Sequence, residues 1–152
     1  MKMRMDYKNT APDGIKAMWG LEHYVHRSGL EPLLLELVKT RASQINGCAY
    51  CLDMHTKDAR AQGESEQRLY ALPAWEETPF YTERERAALA WTEAVTRVAD
   101  THVPDEVFAS ARKHFTEKEL VDLTLAVVAI NGWNRLAIAF RAEAGTYQRP
   151  RS

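Results

Sequence analysis

The sequence has little that would tie it to nucleic acid, to a secretory route or to a membrane. It contains no block of charge of one sign: 20 basic and 21 acidic residues leave a formal net charge of -1, so nucleic acid is not an expected partner. The amino end, MKMRMDYKNT, carries charges with no apolar stretch behind them. It does not resemble a secretory signal, and a cytoplasmic location is expected. The longest apolar run, Leu120 to Ile130, is interrupted by Asp122 and falls well short of the roughly 20 residues that span a bilayer. No membrane segment is expected. Convincing strand alternation, internal repeats, low-complexity segments and a domain boundary are missing as well.

What is there reads as one helical domain over residues 1–152. The 45% hydrophobic content is ample for a single compact core. Residues 14–27 form a plausible first helix ending at Ser28-Gly29. In LEPLLLELVKTRASQI the apolar residues at 33, 34, 37, 38 and 45 share a helical face, and Asn46-Gly47 supplies a stop. A third helix should run from about Cys48 to Gln62 and close at Gly63, followed by a short helical turn near 65–71. The prolines of LPAWEETPF mark a loop. Thr82-Glu83-Arg84-Glu85 is a capping box opening a helix to about Ala99, and Pro104 suits the first position of a short helix over 104–114. Thr116-Glu117-Lys118-Glu119 is a second capping box, and the longest helix follows it to about Ala144. The expected fold is an all-α bundle of about six or seven helices. The last helix is apolar around most of its circumference between 120 and 130, so burial on several sides, with a second subunit covering part of it, is expected.

The two cysteines of the chain stand three residues apart in NGCAYCLDMH, with His55 four residues beyond Cys51. A bridge between them would staple only a tiny loop and add little to folding, and in the cytosol a disulfide is more often catalytic than structural. Cys48, Cys51 and His55 project from roughly one face of the third helix. The helix dipole and the unpaired amides of its first turn favour a thiolate there, as in other Cys-x-x-Cys settings where the usual value of about 8.5 falls toward 7. The dipole favours Cys48 and proximity to His55 favours Cys51. His55 itself has the chemistry of a general base or proton shuttle. His23, His26, His102 and His114 have no such company and read as surface residues.

Glu36 interrupts the apolar run LLLELV. Buried, it would serve as a proton acceptor or relay for an imidazole; exposed, it would share a polar face with Thr40 and Ser43. Zinc on Cys48, Cys51, His55 and Glu36 is an alternative, but the second half of a usual structural zinc site is missing, and no metal is expected. Trp19, Trp75, Trp91 and Trp133 read as core or interface packing, and Asn131, Trp133 and Asn134 as capping, surface or subunit-contact residues.

Glu36, then Cys48-Ala49-Tyr50-Cys51, then His55, together resemble the active-site signature of the alkyl hydroperoxidase D and carboxymuconolactone decarboxylase superfamily, and AVVAINGWNRLAIAFR resembles the long C-terminal helix of its small members. The resemblance covers about residues 30–141. Tyr50 stands where the best-known hydroperoxidases carry a histidine. The resemblance implies an all-α core, assembled as a trimer or hexamer, that reduces hydroperoxides without haem, flavin or metal. It makes Cys51 the peroxidatic cysteine, Cys48 the resolving one, and His55 with Glu36 the proton relay. The disulfide would be reopened by an external dithiol, either a lipoyl group or a thioredoxin-like protein. The decarboxylase branch does not need the cysteine pair. The remaining alternatives are a general dithiol–disulfide oxidoreductase and a redox-responsive sensor, which would oxidise once where an enzyme cycles.

Overall fold

Helix signals and helices coincide along most of the chain. The computed structural model describes residues 1–149, and among these every regular element is helical. A short α1 (Tyr7–Thr10) leads into α2 (Pro12–His26), then α3 (Pro32–Asn46), α4 (Ala49–Ala61), α5 (Glu66–Ala71), a 3₁₀ segment (Leu72–Glu77), α6 (Glu83–Thr96), α7 (Val98–Thr101), α8 (Asp105–His114) and α9 (Glu117–Phe140). The described residues thus carry nine α-helices, more than the six or seven expected, because short turns at 7–10 and 98–101 count separately.

Both capping boxes form: Thr82 and Thr116 each accept from the amide three residues on, while Glu85 and Glu119 reach back to the cap amides. Gly47 ends α3 with φ of 69°, the left-handed conformation in which a side chain is strained, and so turns the chain directly into Cys48.

Four expectations shift. LPAWEETPF is not an open loop, because Trp75 is buried and its indole N–H donates to Glu93 at 2.8 Å, winding the segment into 3₁₀ turns. Pro104 caps α8 and is not its first residue. The helix from Glu83 stops at Thr96; a break at Arg97 separates α7, whose Thr101 hydroxyl donates back to Ala94. Finally, α9 stops at Phe140, not near Ala144. Arg141 turns left-handed and the Ala142 amide bonds Ala137, which packs Ala142 against the cysteine cluster.

Helices α3 and α9 form the centre. Against α3 pack α4, α6 and α9, while α9 also meets α2, α6, α8 and α4. The main cluster joins Val25, Leu35, Val38, Ala88, Leu123 and Val127, among others, and a second gathers Leu37, Leu72, Trp75 and Leu89. By length and composition α9 is apolar enough to cross a bilayer, which the short run of 120–130, interrupted by Asp122, did not suggest. Here it is the helix on which five others pack, although Val121 and Val128 remain exposed on its outer side.

Candidate active site

The turn at Gly47 makes Cys48 the N-cap of α4 and leaves Cys51 one turn inside it. The two are joined in a disulfide, with Cα atoms 5.3 Å apart, and the Cys48 sulfur accepts from the Cys51 amide at 3.3 Å. Both cysteines are buried, against Ala137 of α9 with Tyr50 and Ala142 at the edge.

One further turn along α4, His55 is also buried. Its Nδ1–H donates to Glu36 of α3 at 2.9 Å, and Glu36 is itself only 3% exposed. The pairing fixes the tautomer: Nδ1 holds the proton toward the carboxylate and Nε2 is left as the basic nitrogen. Glu36 therefore takes the buried alternative of the two that the sequence offers. The structure brings Cys48, Cys51 and His55 together as the spacing suggested, and adds Glu36 as the resemblance implied.

Cys51, His55 and Glu36 line a cavity of about 390 Å³. Cys48 does not reach it, and instead lines a separate depression with Gly47, Ala49, Arg141 and Ala142. The disulfide thus joins two residues that line different cavities.

Several residues of the main cavity were not legible as such. Trp19 and Trp133, read as packing residues, form an aromatic wall with ring centroids 5.1 Å apart. Tyr50, between the cysteines, lines it too, with the Lys8 ammonium 5.8 Å from its ring centroid. Lys39, one turn after Glu36, is buried and paired with Glu22, which also accepts from Trp133 Nε1 at 3.2 Å. His26, expected at the surface without company, sits with its Nε2 3.2 Å from Glu22. Burial alone would raise the Glu22 carboxyl, but the His26 hydrogen bond and the Lys39 charge outweigh it and hold it at about 2. The available signals were the i,i+3 spacing of Glu36 and Lys39 and the i,i+4 spacing of Glu22 and His26, each of which puts two ionisable groups on one helix face.

The tail after α9 closes another side. Tyr147 lines the cavity and its hydroxyl donates to both Asp58 oxygens, at 2.9 and 3.1 Å, while Gly145 donates to Asp53. Asp58, Glu36 and His55 each place one donor atom within 4.8 Å of the others. Among the described residues they are the three that could share a divalent cation, a different set from one built on the cysteines, whose sulfurs are bonded to each other.

The site is thus a Cys-x-x-Cys disulfide at a helix start in an all-helical fold, beside a buried carboxylate–imidazole pair. The chain belongs to the carboxymuconolactone decarboxylase family, whose model matches residues 12–94. It is 45% identical to the uncharacterised protein YdfG of Bacillus subtilis over 146 residues, 96% of this chain and 99% of that one. Its fold matches an Agrobacterium tumefaciens protein of unknown function, linked by name to the antioxidant defence protein AhpD, with a TM-score of 0.93 and 47% identity over 96% of this chain and all of that one. The debrominase Bmp8 shares the fold at a TM-score of 0.81 and 22% identity, over 91% of this chain and 74% of that one.

Proposed function

We propose that this protein is a cofactor-free thiol peroxidase that reduces organic hydroperoxides in the cytoplasm. The observation that carries the reading is the placement of Cys51: it lines the main cavity beside the buried His55–Glu36 pair, while its disulfide partner Cys48 lies outside that cavity. The open choice between the two sulfurs is thereby weighted toward Cys51 as the one that meets substrate. Cys48 then resolves.

In the reduced protein His55 Nε2 takes the Cys51 proton, and Glu36 stabilises the resulting imidazolium. The thiolate attacks the outer oxygen of ROOH. An S–O bond forms, the O–O bond breaks, and RO⁻ leaves to be protonated as ROH. The Cys51 sulfenic acid condenses with the Cys48 thiol, releasing water and forming the S–S bond. A dithiol, lipoyl or thioredoxin-like, reopens the bridge by exchange and supplies the two electrons.

The exposed Val121 and Val128 of α9 support an assembly of several copies, a trimer or hexamer. Light scattering giving the mass of one chain would count against it.

The test is to mix reduced protein with stoichiometric alkyl hydroperoxide and follow intact mass, with and without a dithiol. Rapid loss of two hydrogens, reversed by the dithiol with repeated peroxide consumption, is the expected result. Oxidation that proceeds once and does not cycle would instead indicate a sensor, and no reaction would exclude the peroxidase.

A further inference from the structure

The main cavity contains a second cluster of ionisable groups that thiol activation does not use. Lys39 is 1% exposed and is the one cation fully buried among the described residues. A buried ion pair is a weak stabiliser compared with apolar residues of similar size, and strongly perturbed groups in a cleft mark functional positions. The pair lines the same cavity as Cys51.

We propose that Lys39 donates the proton that the leaving oxygen requires, and that Glu22 and His26 connect Lys39 to solvent. This rests on the peroxidase reading and adds a residue set to it. The need is chemical: an alkoxide is a poor leaving group unless protonated as the O–O bond breaks. The Lys39 ammonium gives a proton to RO⁻, leaving ROH and a neutral amine. His26, whose side chain is half exposed, returns a proton from water to the amine.

The geometry suits such a hand-over. His26 Nε2 lies 3.2 Å from Glu22 Oε1 and 3.4 Å from Lys39 Nζ. When charged it donates to Glu22; with Lys39 deprotonated, the same N–H can turn to the amine. Glu22 holds Lys39 and His26 in register and is itself fixed by Trp133 Nε1. Placing Lys39 three residues after Glu36 on α3 puts proton supply one helical turn from proton removal.

The experiment separates leaving groups. Reduced full-length protein is oxidised in single turnover by tert-butyl hydroperoxide, which expels an alkoxide, or by peracetic acid, which expels acetate and needs no proton. The variants are His26→Gln and the double variant Glu22→Gln/Lys39→Met, which removes both buried charges together. With tert-butyl hydroperoxide the double variant should slow by about 10²-fold in single turnover, whereas His26→Gln, which acts on the recharging of Lys39, should keep its first turnover and slow by about tenfold when a dithiol lets the protein cycle, while peracetic acid rates stay within about twofold in both regimes. Equal losses with both oxidants, or no loss with either, would overturn the proposal. Should the double variant fail to fold, His26→Gln, whose ring is half in solvent, carries the test under cycling with a dithiol, where a loss confined to tert-butyl hydroperoxide is expected and no loss would overturn the proposal. A wild-type protein inert to both oxidants would instead remove the peroxidase reading itself.

Discussion

Asn134 of α9 accepts a hydrogen bond from Asn46 of α3 at 2.9 Å, two residues before Cys48. Asn134 is fully buried and its own amide donates to Ser43 at 3.0 Å, while Asn46 also reaches Asn131. The end of α3, and with it the turn that starts the disulfide, is therefore pinned to the central helix by side-chain amides. Replacing Asn134 with Leu strands the buried Ser43 hydroxyl and removes one acceptor of the half-buried Asn46. A loss of about 2–4 kcal/mol is expected from unpaired buried groups, measured by urea unfolding. Faster reduction of the bridge by dithiothreitol should accompany it.

The two cysteines should separate cleanly. In Cys48→Ser, peroxide should leave a sulfenic acid on Cys51 that a dimedone probe traps. Cys51→Ser should consume no peroxide and give no adduct. An adduct on Cys48 in that second variant would reverse the assignment.

His55→Gln and Glu36→Gln act one step earlier. Each removes part of the buried pair proposed to accept the Cys51 proton, so iodoacetamide alkylation of the reduced protein near neutral pH should slow, by about 10²-fold for His55→Gln. Glu36→Gln should have the smaller effect, because the imidazole remains.

Acid should weaken the fold through Glu22. Its carboxyl is held at about 2 against a usual 4.5, so between these values the unfolded chain binds more protons than the folded one. The contribution is present above the unfolded value and is lost as pH falls toward the folded one, on the order of 2–3 kcal/mol in all. Glu22→Gln should be less stable than wild type at neutral pH, with the gap between their melting temperatures closing from about pH 5 downward.

Tyr147 should be a late-titrating tyrosine. Burial first, then its hydrogen bond to Asp58, pushes it up to about 12. In rapid pH jumps the tyrosinate absorbance missing from Tyr147→Phe should titrate near that value, and Asp58→Asn should bring it down. The same Phe variant should exchange its amide hydrogens faster over 143–147, since the tail loses its hold on α4.

Local chemistry made much of this legible. Thr82 with Glu85, Thr116 with Glu119, and Gly47 are signals whose partners lie within four residues, and all three act where the sequence puts them. Glu36 and His55 were legible because a charge within LLLELV and an imidazole beside two cysteines are each conspicuous. Lys39 was not, since a lysine among leucines and valines ordinarily keeps its head in water. Its burial depends on Glu22, 17 residues away on another helix. Trp133 and Tyr147 belong to the cavity only through tertiary packing, and α9 was overextended because Arg141, Ala142 and Glu143 favour helix until the tail is drawn back across α4.

Besides the Cys48 sulfur that accepts from the Cys51 amide, the turn that holds the bridge has three supports that do not involve sulfur. Gly47 sets its entry, the Cys48 amide bonds Ser43, and the Leu52 amide bonds Cys48. Opening the bridge leaves these in place. On the peroxidase proposed above, two electrons would then be stored and surrendered with the outline of this turn kept, and a reductant would have no large change of shape there by which to sort charged from spent molecules. Discrimination falls to the sulfur itself: a partner that docks on the wrong form finds no bond to exchange and departs.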